Sequence, residues 1–150
     1  MKLSTRSRYG TRLLLDMAEH YESGPIQLGV MARRQGIAVK YLEQIIIPLK
    51  KAGYVRSTRG YKGGYILAKR PEEITIREIL VLLEGGLRLT ACTDLPESCE
   101  RAETCVMRLV WQQAAEAMHQ KLEAFTLADL LKMEQSMGKG IIRGNMCREV

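Results

Sequence analysis

The chain has 150 residues, of which 27% are charged and 5% aromatic, enough for one domain or a small domain plus an appendage. It has no apolar run long enough to span a bilayer and no short apolar segment behind a basic start, so a soluble cytoplasmic protein is expected. The net charge of +6 is unevenly spread: residues 1–70 hold 14 Lys/Arg and 4 Asp/Glu, residues 71–150 hold 9 and 13, so a polyanion is expected to face the first half only.

Ser4 or Thr5 can cap a first helix running to about Glu22, with Leu13, Leu14, Met17, Ala18 and Tyr21 at helical spacing and Gly24-Pro25 ending it. A short second helix follows over about Leu28 to Arg34, then a turn at Gly36. A third covers about Val39 to Lys51, with Leu42, Ile45, Ile46 and Leu49 on one face and Gly53 as its stop. Residues 54–58 read as a strand, 59–64 as a hairpin loop and 65–67 as the return strand; Pro71 closes the unit. Thr75 with Glu78 forms a capping box, and Ile76, Ile79, Leu80 and Leu83 face a core until Gly85-Gly86. A loop over 87–102 carries the first two cysteines. A long helix is expected from about Ala102 to Ala124, and Thr126 with Asp129 opens a last helix to about Met137.

The expected fold is mainly α with a small β-hairpin: a winged helix-turn-helix plus a long dimerisation helix. Residues 1–84 form the winged unit, 85–105 a cysteine-rich loop, 106–137 the dimerisation helices and 138–150 a flexible, glycine-containing tail. The apolar residues Val106, Leu109, Val110, Ala114, Ala117, Met118, Leu122 and Phe125 make a stripe suited to the twin helix of a second subunit.

Two short helices around a glycine-containing turn can place the second helix in the major groove of DNA. Its early positions Val39, Lys40, Tyr41, Glu43 and Gln44 are then the exposed ones. Gln44 can bond adenine twice, Glu43 can accept from a cytosine amino group, and Lys40 and Tyr41 suit phosphate. The hairpin adds Arg56, Arg59 and Lys62 beside Gly60, with Arg59 able to enter a narrow minor groove.

Cys92, Cys99 and Cys105 fall within 14 positions, and Cys147 lies in the tail. Their spacing contains no paired CxxC knuckle, as structural zinc requires, and suits a loop draped round a larger inorganic cluster. Reduced thiols or a reversible disulfide remain open on spacing alone. No CxxC redox site, catalytic His pair or phosphate loop is present, so an enzyme is not expected.

Ser7-x-Tyr9-Gly10-x-Arg12, Lys40-Tyr41-Leu42-Glu43-Gln44, Ala52-Gly53-Tyr54-Val55 and Arg59-Gly60-x-x-Gly63-Gly64-Tyr65 together resemble the iron–sulfur cluster regulator (IscR-type) family of bacterial winged-helix repressors, near its nitric-oxide-sensing relatives. The resemblance covers about residues 1–135. It implies a homodimer reading an inverted repeat in double-stranded DNA, with Tyr41, Glu43, Gln44 and Arg59 on the DNA. It also implies that Cys92, Cys99 and Cys105 hold a [2Fe–2S] or [4Fe–4S] cluster sensing iron, redox or nitric oxide state. The alternative is a cluster-free regulator of sulfur or cysteine metabolism, controlled by thiol oxidation or a partner enzyme.

The chain departs from the family pattern at several points. Ala38 stands where Ser is usual and cannot cap the reading helix, at a cost of about 1 kcal/mol. Pro48 removes a backbone bond to Gln44 and is expected to kink or shorten that helix. A family histidine three residues after the third cysteine is replaced by Arg108, and Arg8 and Arg12 occupy the region where nitric-oxide-sensing relatives supply an acidic ligand from the partner subunit. His20, Cys147, Asp94, Glu97 or a small exogenous ligand remain as the fourth ligand; His119, some 14 residues beyond Cys105, is roughly 21 Å along a helix and too far.

Overall fold

Polar caps and apolar periodicity decide where the helices begin. In the computed structural model, which describes residues 2–137, α1 (Thr5–Glu19) starts at Ser4, whose hydroxyl accepts from the Ser7 N–H at 3.2 Å. The helix ends three residues earlier than its periodicity predicts. The His20 ring turns back so that Nδ1 lies 2.9 Å from the Asp16 carbonyl, and the chain tightens into a 3-10 turn over Tyr21–Ser23.

α2 (Leu28–Gln35) and α3 (Val39–Lys51) form the helix-turn-helix around Gly36. Ala38 makes no side-chain cap, as its methyl dictates. Pro48 does not shorten α3: the helix continues to Lys51, and the Ala52 N–H closes on the Pro48 carbonyl at 2.9 Å. The wing is an antiparallel pair, β1 (Val55–Thr58) and β2 (Gly64–Leu67), in register Val55↔Leu67 to Thr58↔Gly64. Its base is fixed by a bridge to the linker before α2, with the Ile26 N–H on the Tyr65 carbonyl at 3.0 Å and the reverse bond at 2.8 Å.

α4 (Ile76–Glu84) follows the Thr75–Glu78 capping box, both of whose bonds measure 3.2 Å. The segment expected to be a plain loop contains the single turn α5 (Ala91–Asp94) and a 3-10 turn over Pro96–Ser98. α6 spans Val106–Glu123, starting four residues later than expected because residues 100–104 run in turns. α7 (Leu127–Ser136) opens on the reciprocal Thr126–Asp129 cap. The predicted tail and Cys147 lie outside the described residues.

One core joins these elements, with α1 at its centre packed on α2, α3, α4 and α7. Leu13 and Leu14 of α1, Met31 of α2, Leu42, Ile45 and Leu49 of α3, Ile79 of α4 and Leu127 of α7 are all fully buried. α1 and α4 meet at Gly10, where a Cβ would lie 2.3 Å from Leu83 Cδ1; only a hydrogen allows this approach. α7 returns to the winged unit through the Ile76 N–H on the Phe125 carbonyl (2.9 Å) and the Leu127 N–H on the Ile74 carbonyl (3.0 Å).

α6 differs from the other long helices, because none of its 18 residues is buried. Its apolar stripe divides in two. Met118, Leu122 and the following Phe125 pack against the chain's own core, whereas Val106, Leu109, Val110, Ala114 and Ala117 are exposed, Val106 at 72%.

Candidate functional site

The outward face of α3 follows from its inward one. With Leu42, Ile45, Ile46 and Leu49 in the core, a 3.6-residue period turns Lys40, Glu43 and Gln44 outward, and all three are exposed. Tyr41 differs from the sequence expectation of an exposed position. It lies at the flank of the helix and is half-buried, its ring edge-on to Tyr9 of α1 at 5.8 Å and 87°. Arg12 stacks over Tyr9 at 5.6 Å, so the start of α1 holds Tyr41 in place.

A buried polar junction ties α2 to α1. Asp16, with a side chain 2% exposed, receives both forks of Arg34 and the Gln35 amide at 2.9 Å. Arg12 closes the junction by donating to the Gln35 carbonyl at 2.8 Å and to its side-chain oxygen at 3.1 Å. A carboxylate removed from water in this way is tolerable only because every approach to it is a donor. His20 belongs to the same junction. Nδ1–H donates to the Asp16 carbonyl, which leaves Nε2 to accept from Arg34 at 3.0 Å.

The wing presents Arg56, Arg59, Gly60 and Lys62 on its exposed side. Gly60 has φ +111° and its carbonyl accepts from the Gly63 N–H at 2.9 Å, a tight turn that a side chain at Gly60 would strain. Tyr61 stands at the tip, 97% exposed. Lys50 at the end of α3 donates to Ser57 Oγ of β1 at 3.0 Å, tying reading helix and wing together. Reading helix and wing are therefore joined through Lys50, with Lys40 exposed on α3 and Arg56, Arg59 and Lys62 exposed on the wing.

The cysteine segment lies beneath the start of α6. Cys92 and Cys105 are half-buried and Cys99 is exposed; all three are free thiols, and Cys105 occupies the N-cap of α6. Arg108, in the position of the family histidine, is the segment's clasp. It donates to the Cys92 carbonyl at 2.8 Å and to the Ala102 carbonyl at 3.3 Å, while Gln112 reaches the Thr93 carbonyl at 3.4 Å. Among the described residues no three or more His, Cys, Asp or Glu side chains are grouped to hold a metal ion, so the three thiols are close in sequence but not gathered.

The other ligand candidates have partners of their own or stand apart. Asp94 pairs with Arg88 at 3.1 Å, and Glu97 is exposed. His119, already excluded by its distance from Cys105 along the helix, is held between the Leu87 carbonyl (2.9 Å from Nε2) and Arg77 Nε (3.4 Å from Nδ1). Sequence reasoning passed over two side chains on the α3 and wing surface, Tyr61 and Ile47. An apolar residue in an amphipathic helix reads as core by default, and only its helical angle against the buried set reveals Ile47 as outward.

Among the described residues no helix is long and apolar enough to cross a membrane. Protein rrf2 of Nitratidesulfovibrio vulgaris (strain Hildenborough) is 48% identical over 132 residues, 88% of each chain. The structure of T. potens IscR superposes with a TM-score of 0.76 at 37% identity, covering 92% of this chain and 91% of that one. The structure of CymR, the global cysteine regulator of B. subtilis, gives 0.75 at 34% identity, covering 89% of this chain and 98% of that one. The Rrf2 family model, described as iron-dependent transcriptional regulator, matches residues 3–133. With its helix-turn-helix, wing and basic face, the chain belongs to the Rrf2 family of DNA-binding transcriptional regulators and is not an enzyme.

Proposed function

We propose that the protein is a cytoplasmic, homodimeric repressor that reads an inverted repeat in double-stranded DNA and is controlled by an iron–sulfur cluster on the 92–105 segment. The observation that carries the DNA part is the joined surface of α3 and wing, with Lys40, Glu43 and Gln44 outward on one and Arg56, Arg59 and Lys62 on the other. Glu43 and Gln44 read base edges, Lys40 and Tyr41 fix register on phosphate, and Arg59 follows the minor groove beside Gly60.

The exposed half of the α6 stripe is the dimer contact. Val106, Met107, Leu109, Val110 and Trp111 are large apolar side chains left open together along one helix, which supports a second copy as their cover. Dimerisation through α6 fixes the separation of the two α3 helices, which must match half-sites about one helical turn apart.

Cys92, Cys99 and Cys105 are the residues that would hold the cluster. Their chemistry fits, since three uncrosslinked thiols in one short segment are the soft donors that iron–sulfur clusters take. Gathering them requires the segment to rearrange from the arrangement held by Arg108. A bound cluster supplies iron that responds to oxidants, nitric oxide and iron supply. The chain's own part is mechanical: the segment abuts the N-terminus of α6, so its conformation bears on the dimer contact and through it on α3.

Anaerobic purification tests this reading. The expected product is brown, contains iron and acid-labile sulfide, and loses its visible absorbance in a Cys92→Ala/Cys99→Ala/Cys105→Ala variant. Colourless protein with three titratable thiols in residues 92–105 overturns the cluster. That result favours the second reading, a cluster-free regulator of sulfur or cysteine metabolism that responds to thiol oxidation or a partner enzyme. The ungathered thiols and the likeness to the CymR structure support that alternative.

A further inference from the structure

We infer that Ile47 reads thymine, through its side chain against the thymine C5-methyl group in the major groove; this rests on α3 being the reading helix. Three observations lead there. Ile47 is 64% exposed, more than any other large apolar side chain of α3, where Val39 follows at 42%. Four residues of that helix fill the core, so Ile47 is not needed there. And its place is central on the outward face: four residues after Glu43, three after Gln44 and seven after Lys40, all exposed.

A branched apolar side chain surrounded by charged and amide groups in water gains nothing where it stands. It gains only if something apolar covers it. On the surface that meets the groove the candidate partner is defined by chemistry. Each base pair shows donors and acceptors on its major-groove edge, and thymine alone adds a methyl group. Three residues of helix rise by about 4.5 Å, close to the roughly 3.4 Å step between base pairs. With α3 lying along the groove, Ile47 then meets a base pair next to the one that Gln44 reads. The hydrogen-bonding residues and the apolar one together specify a short run of bases rather than isolated positions.

Phosphate contact is the main competing use of this face, and it suits Lys50 and Lys51 at the end of α3, not an aliphatic chain. Burial in a dimer contact is supplied by α6 and does not require this face.

The test is a cycle between protein and DNA. A duplex is selected from a random library by the full-length protein, and each thymine is replaced in turn by uracil, which pairs identically but lacks the methyl. For the unmodified protein one thymine per half-site should lower affinity about fourfold on replacement, the worth of one methyl buried against an aliphatic side chain. For Ile47→Ala the same replacement should cost nothing measurable, and for Ile47→Val part of the penalty should return. The salt dependence of binding should be the same in all three proteins, because no phosphate contact changes. Equal uracil penalties in the unmodified protein and Ile47→Ala, on a duplex both bind, would overturn the Ile47 contact alone. Failure to select any duplex would overturn the reading of α3, and this inference with it.

Discussion

The Arg108 guanidinium donates to the Cys92 carbonyl at 2.8 Å, spanning 16 residues from the start of α6 to the start of the cysteine segment. A second bond to the Ala102 carbonyl makes the side chain a two-point clasp, which suits the planar fork of arginine and not the single ammonium of lysine. Arg108→Ala should raise amide hydrogen exchange across residues 91–104 while leaving α1–α4 unchanged, and Arg108→Lys should restore little. Equal protection in all three proteins would show that the segment is held by something else.

Base reading and phosphate gripping should separate by mutation. Glu43→Ala should relax preference at one base pair per half-site, at about 1–3 kcal/mol of lost discrimination. Lys40→Ala should weaken all sequences alike and reduce the salt slope by about 1. Binding measured across single-base operator variants at two salt concentrations checks both; identical profiles for the two variants would contradict the division of labour.

Gly10→Ala should destabilise the fold although it improves the intrinsic helix propensity of α1 by about 1 kcal/mol. The new methyl meets Leu83 Cδ1 at 2.3 Å and Ile45 Cγ2 at 3.3 Å inside the packed α1–α4 contact. Overpacking of this kind costs about 1–3 kcal/mol, so a net loss is expected in urea unfolding. A rise in stability would mean that α4 yields without strain.

Acid should weaken the contact between α1 and α4 through Glu84. Burial works against its charge, but hydrogen bonds from Ser7 and Ser4 outweigh it and hold the carboxyl below the ordinary glutamate range. A depressed folded-state value means that the stabilisation is present above the unfolded value and fades as pH falls through the folded one. Glu84→Gln should therefore be less stable than the unmodified protein at pH 7, with the difference narrowing as pH falls below about 4. A pH-independent difference would mean that the ionised form contributes nothing.

The elements legible in the sequence are those with a local physical cause. α3 begins and ends where its periodicity and Gly53 place it, because four apolar residues on one face leave a single burial solution. The boxes at Thr75 and Thr126 announce α4 and α7 through side-chain bonds within three residues. What escaped depends on distant partners. The early end of α1 follows from His20 meeting Asp16 and Arg34, and half-burial of Tyr41 follows from Tyr9. The short turns at Ala91–Asp94 and Pro96–Ser98 are too brief to show a period. The stripe of α6 was visible, but its division between self-packing and open surface depends on how α7 folds back.

The central claim is that the 92–105 segment governs the winged helix. The most direct measurement is the affinity of one selected duplex, under anaerobic conditions, for cluster-loaded protein and for Cys92→Ala/Cys99→Ala/Cys105→Ala. A difference of at least about tenfold is expected, corresponding to about 1.4 kcal/mol of coupling between segment and reading helix. Equal affinities would contradict it.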